Sequence, residues 1–124
     1  MNDLIIDAAN EKILLILIKD GNIYNVRHEN SKTNYDKLII LIDNFIKSYD
    51  LKINEITKLY VNRGPGSFSG IRNSIAVAKA IYVAKKIDYF CFSFEDFDKS
   101  YLHKYENIPY LCQKFKIKKN FDFL

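Results

Sequence analysis

Apolar residues open the chain in three short runs separated by turn-forming residues. Leu4-Ile-Ile-Asp7 predicts a short buried strand, Ala8-Ala-Asn-Glu11 a turn, and Lys12 to Ile18, apolar beyond its first residue, a second strand. Lys19-Asp-Gly-Asn22 predicts a hairpin turn, because Asp-Gly tolerates the positive φ angles that two-residue hairpins need. Ile23 to His28 alternates loosely and predicts a third strand, so the opening is a three-stranded antiparallel unit.

The period then changes from two to between three and four. Ser31-Lys-Thr-Asn34 supplies a helix start, with Thr33 or Asn34 as cap and Asp36 in the first turn. Leu38, Leu41, Ile42, Phe45 and Tyr49 share one face of a helix over 34–49, and Ile39, Ile40 and Ile46 widen that face well past the usual stripe. Lys58-Leu-Tyr-Val61 predicts a fourth strand that runs into a glycine-rich loop. A second helix runs from Ser69 or Gly70 to about Lys86, with Ile71, Ile75, Ala78 and Ile81 on one side. Arg72, Lys79 and Lys86 make a polar stripe on it, and Ala76, Ala80 and Ala84 a stripe of small residues. Asp88 to Phe92 predicts a fifth strand, Ser93 to about Tyr105 a short helix capped by Ser93, and Ile108 to Cys112 a last strand. The order gives an α/β class: a mixed sheet of about five strands with helices on it. Residues 1–112 form one domain, and 113–124 a Lys-rich tail with no assigned structure.

Composition narrows the classes. At 124 residues the chain is the size of one domain, and no apolar run approaches the roughly 20 residues that span a bilayer. The first residues carry acids and no basic region, unlike a secretory signal, so the expected location is the cytoplasm. Cys91 and Cys112 lack CxxC partners, and His28 and His103 stand alone; two buried thiols and no metal site are expected. The net charge is +4, but 16 of the 19 cations are Lys, in a sequence biased throughout towards Ile, Lys, Asn, Tyr and Phe. Phosphate recognition favours Arg forks instead. Lys114, Lys116, Lys118 and Lys119 read first as a solvated edge, with a salt-dependent contact to nucleic-acid phosphate as the other reading.

Against that bias the rare residues gather. Three of the four Gly fall between 64 and 70, and Arg63 and Arg72 flank them. Gly64-Pro-Gly-Ser-Phe-Ser-Gly70 joins a strand to a helix, and two readings stand side by side. Backbone N–H groups at the helix start and the two Arg would cradle a phosphate. Alternatively, the loop is a tight turn with Phe68 packed inward. It lacks the Gly-Lys-Ser/Thr ending of a P-loop, and its third glycine sits one position late for the dinucleotide fingerprint. Asp7, at a strand end, is a lone carboxylate: a base or metal ligand on one reading, a turn cap on the other. Asp36 and Glu95 have no supporting motif, and Ser67 and Ser69 have no assignable His.

Arg63-Gly-Pro-Gly-Ser-Phe-Ser-Gly-Ile-Arg72 resembles the motif RGPGS[FY]TG[LIV]R of the TsaB (YeaZ) family, with Ser69 in place of Thr. Leu4-Ile-Ile-Asp7-Ala-Ala is similar to that family's opening strand, and the likeness extends over about residues 3–105. It implies one lobe of the actin-like ATPase (ribonuclease H-like) fold. It also implies a non-catalytic subunit that binds TsaD, the metalloenzyme transferring a threonylcarbamoyl group to adenosine 37 of tRNA, with an ATPase partner, TsaE, joining them. On this resemblance tRNA is met indirectly, no cofactor or membrane is involved, and a homodimer forms when TsaD is absent. The implied partner face comprises Ile39, Ile40, Asp43, Ile46, Asn73, Ala76, Val77, Ala80 and Ala84. The motif residues are Arg63, Gly64, Pro65, Gly66, Ser67, Phe68, Ser69, Gly70 and Arg72, and Asp7 is a nucleotide-site remnant. Family members run to about twice this length and carry a second lobe. Asn34 stands where many have His, and Asn73-Ser74 replaces a further Gly-rich stretch. The alternative is a nucleotide- or phosphate-binding ATPase-like enzyme working through the glycine loop.

Overall fold

In a computed structural model, residues 1–98 and 104–121 are described. Strands β1 (Asn2–Asp7), β2 (Lys12–Lys19), β3 (Asn22–Glu29), β4 (Lys58–Asn62) and β5 (Tyr89–Phe92) form one sheet in the order β3-β2-β1-β4-β5. The first three pair antiparallel, whereas β4 lies parallel to both β1 and β5. The β2–β3 turn holds Asp20 and Gly21 at φ 51° and 80°, the positive angles that Asp-Gly predicts.

The predicted first helix is two helices. Helix α1 (Lys32–Asp36) is capped by Ser31, whose side chain accepts from the Asn34 N–H. This places the cap two residues before the expected Thr33. Lys37, at φ −120°, interrupts the helix before α2 (Leu38–Lys47). A 3-10 turn, Ile53–Glu55, leads to β4. Helix α3 (Phe68–Lys85) is capped by Ser67 rather than Ser69 or Gly70 and ends on Lys86 in a left-handed conformation.

Two predicted elements differ. Ser93 caps only a 3-10 turn, Phe94–Asp96, in place of a helix to 105; residues 99–103 of that prediction lie outside the described residues. The expected strand 108–112 is helix α4 (Ile108–Lys114), which follows a 3-10 turn at Tyr105–Asn107. Pro109 sits in the first turn of α4, where its missing N–H costs nothing. The Lys-rich segment beyond it is structured as far as 121: Lys119 bridges Phe90, and Asn120 donates its N–H to the Tyr89 carbonyl at 2.7 Å.

Strand alternation divides the core between the two faces of the sheet. Leu4, Ile6, Leu15, Leu17, Leu59, Val61 and Cys91 pack beneath α2 and α3, which contribute Leu38, Ile42, Phe45, Ile46, Ile71, Ile75, Ala78 and Ile81. Ile5, Ile16, Tyr60 and Phe92 face the other way, against Phe97 and the α4 residues Ile108, Leu111 and Cys112. Cys91 and Cys112 are both buried.

Candidate functional site

The glycine motif packs onto the β1–β2 turn. A Cβ on Gly70 would stand 2.0 Å from the Ala8 carbonyl oxygen, and one on Gly66 would stand 2.1 Å from the Ala9 carbonyl oxygen. Both contacts are with backbone, so no side-chain adjustment relieves them, and only glycine fits. The Ser67 N–H donates to Ala9 O at 2.8 Å, the Gly64 N–H to Asn62 Oδ1 at 2.9 Å, and the Gly70 N–H to Ser67 Oγ at 3.2 Å. These N–H groups, which a phosphate cradle would use, are engaged within the protein. Phe68, expected inward on the tight-turn reading, is 67 % exposed with the Arg72 guanidinium 5.3 Å from its ring centre. Arg63 pairs with Asp96.

Asp7 closes β1 and is fully buried. Its Oδ1 accepts from the Ala9 N–H at 3.1 Å, the turn-capping bond; Oδ2 accepts from Asn62 Nδ2 at 3.1 Å and from the Tyr105 hydroxyl. Asp7 therefore joins β1, the end of β4 and the C-terminal segment. Burial pushes the Tyr105 hydroxyl above its ordinary pKa, and the bond to Asp7 pushes further in the same direction, against a smaller opposing effect of Arg27. Sequence reasoning missed Tyr105, because nothing local to it signals a carboxylate 98 residues away. An open cleft of about 930 Å³ lies beside these groups, lined by Asp7, Lys12, Arg27, Asn30, Tyr35 and Ser67 among others. Among the described residues no three His, Cys, Asp or Glu side chains stand close enough to hold a metal ion. Asp36 and Glu95 do not line the cleft.

The helix residues expected at a partner face divide. Ile39 and Ile40 are 45 % and 55 % exposed on α2, and Ala76, Ala80 and Ala84 are exposed on α3. Asp43, partly exposed, pairs with Lys47 at 2.7 Å. Asn73 and Val77 are half-buried, and the Asn73 amide donates to Ser69 O. Ile46 is an exception: it is fully buried in the core between α2 and the sheet, so it does not face outward. Val83, which sequence reasoning passed over, is 66 % exposed beside the alanines; its spacing of seven from Ala76 is the signal that marks it.

Comparison with known proteins gives a consistent picture. The family model described as TsaD, tRNA N6-adenosine threonylcarbamoyltransferase, matches residues 26–92. A tRNA threonylcarbamoyladenosine biosynthesis protein TsaB of Buchnera aphidicola subsp. Baizongia pistaciae is 34% identical over 77 residues, 60% of this chain and 34% of that protein. The protein of the same name from Haemophilus influenzae is 26% identical over 78 residues, 63% of this chain and 33% of its own length. The chain thus spans about a third of these two curated relatives. The solved structure of YeaZ from Pseudomonas aeruginosa shares the fold, with a TM-score of 0.68 at 18% identity over 74% of this chain and 43% of that one. No helix among the described residues is long and apolar enough to cross a membrane. The motif, the sheet order and these matches agree: the chain belongs to the family described by the TsaD model and, within it, to the TsaB (YeaZ) group.

Proposed function

We propose that this chain is a non-catalytic scaffold that binds TsaD through the outer sides of α2 and α3, within the machinery that makes N6-threonylcarbamoyladenosine at position 37 of tRNA. The observation that carries this reading is the exposure of Ile39 and Ile40 on α2 and of Val83 on α3, with Ala76, Ala80 and Ala84 exposed along the same helix as Val83. Apolar groups so placed on two neighbouring helices usually mark a contact surface. Alanines four apart let a partner helix approach near the lower end of the ~8–10 Å interaxial range. The resemblance to TsaB implies a bundle made by two helices of each partner's first lobe, and α2 and α3 are the helices concerned here. Cytoplasmic location follows from this role, with TsaE as a further partner of the pair.

The site chemistry supports the absence of catalysis. Asp7 is occupied by three donors, and the loop N–H groups at 64, 67 and 70 are engaged internally. The competing reading, a nucleotide- or phosphate-binding enzyme, draws on one observation: Lys12 and Arg27 line the cleft beside Asp7. Titration calorimetry with ATP and Mg²⁺ separates the two, since the scaffold reading expects no heat of binding.

The direct test is co-purification of the tagged chain with TsaD of the same cell, wild type against Ala80→Lys. Ala80 is exposed, so the lysine leaves the monomer folded but blocks close helix approach. Retention of TsaD by wild type and its loss by the variant supports the reading. Failure of the wild type to retain TsaD overturns it, and sizing of the chain alone then shows whether the same faces make a homodimer.

A further inference from the structure

The cations of this chain are segregated. From residue 56 to 87 it carries six cations and no acid, and from 107 to 121 four cations and no acid; the remaining residues carry nine cations against fifteen acids. The fold brings these two segments together at the outer edge of β5, where residues 119 and 120 pair with the strand. Asn120 donates its N–H to Tyr89 O at 2.7 Å, accepts from the Tyr89 N–H at 2.9 Å and donates from Nδ2 to Asp88 at 2.9 Å. Lys85 and Lys86 end α3 just before that strand, and Lys116, Lys118 and Lys119 surround the Asn120 clamp. All five lysines are exposed. The acid among them is Asp88, whose Oδ2 is 3.6 Å from Lys119 Nζ. The exposed ring of Phe121 lies beside them, with Lys118 Nζ 5.1 Å from its centre.

Two of these lysines occupy left-handed backbone, Lys86 at φ 60° and Lys116 at φ 55°. Glycine or asparagine is the usual occupant of such a position. A cation at the C-terminus of α3 is favoured by the helix dipole, which accounts for one lysine there but not for five from two segments. We propose that this β5 edge docks the phosphate backbone of a folded RNA, so that the chain touches tRNA directly as well as through TsaD. Point charges on flexible stems, spread along an edge with one exposed ring, suit a sequence-independent backbone contact rather than base readout. An RNA rather than another polyanion follows from the reading of the chain as part of a tRNA-modifying assembly, on which this inference rests.

The test is fluorescence anisotropy of a labelled tRNA transcript with the full chain between 50 and 200 mM salt. Binding should weaken steeply with salt, with log K falling against log salt at a slope of about −3 to −4 for four neutralised phosphates. Lys86→Gly and Lys118→Gln should each weaken binding about 3- to 10-fold and make the slope shallower by about one. Lys86→Gly is diagnostic because relief of the left-handed lysine raises the melting temperature, so its loss of binding is not a loss of fold. Wild-type affinity that is salt-independent, or unchanged in both variants, overturns the proposal, as does binding to phosphatidylserine vesicles or an acidic peptide in preference to the transcript. TsaD retention by the same variants is the separating control. The docking edge fails if RNA binding is unaltered while TsaD is held, whereas the scaffold reading fails if wild type does not hold TsaD at all.

Discussion

At the residue scale, the glycines of the loop are held by backbone that a Cβ would strike. The structure assigns Gly66 and Gly70 to contact with the carbonyls of Ala9 and Ala8, in a turn 57 to 62 residues earlier in the chain. No local pattern reveals such a contact. Gly70→Ala is expected to destabilise the fold by about 3 kcal/mol, the upper part of the range for overpacking, since backbone must move; chemical denaturation checks it, and a near-neutral result would mean the turn yields freely. Asp3 gives a second expectation. It is buried on β1, its Oδ1 has no hydrogen-bond partner, and burial raises its pKa above 3.8 despite Lys58 and the N-terminus. A raised carboxyl pKa favours the folded state when protonated, so the cost of Asp3 is greatest at neutral pH. Asp3→Asn should therefore be more stable than wild type at pH 7 by about 1 kcal/mol, the low end of the cost of an unsatisfied buried group. The gap should narrow as pH falls through the raised folded pKa towards 3.8. A gap that widens on acidification would contradict this.

At the element scale the five strands and the long helix α3 were legible because their hydrophobic periods are sustained. The segment 108–112 was misread as a strand. Its composition is apolar with an aromatic, which short strands and buried helices share. The missed signal was spacing: Ile108, Leu111, Cys112 and Phe115 recur at three and four, and they are the residues that α4 and the turn after it turn onto the sheet. Lys37 broke the first helix for a reason also hidden from periodicity, since Ser31 caps a separate short turn of helix. Leu111→Ala is expected to cost about 3 kcal/mol, within the usual range for a fully buried leucine. The measurement is the urea midpoint. A cost below about 0.5 kcal/mol, the size of an ordinary surface change, would mean that α4 is not docked on the face formed by Ile5, Tyr60 and Phe92.

At the scale of the whole molecule, the two faces of the sheet are closed by unequal covers. Helices α2 and α3 total 28 residues over one face, while the seven-residue α4 covers the other with the 3-10 turns. One cysteine reports on each. Cys91 sits on β5 beneath the large helices, and Cys112 sits on α4, its thiol pushed up to about 12 by burial first and by Asp96 second. Cys112 is 2 % exposed, so a thiol reagent reaches it only when α4 opens. Elements with few contacts open at lower free energy than the global unfolding transition. Cys112 should accordingly react with an aromatic disulfide reagent faster than Cys91 in dilute urea, by about tenfold for each 1.4 kcal/mol by which α4 opens more easily. Mass analysis of partly labelled protein identifies the site. Equal rates that follow global unfolding would instead place α4 in the same cooperative unit as the sheet, and the C-terminal segment, with Tyr105 on Asp7 and Asn120 on β5, would then be as permanent a part of the lobe as α3.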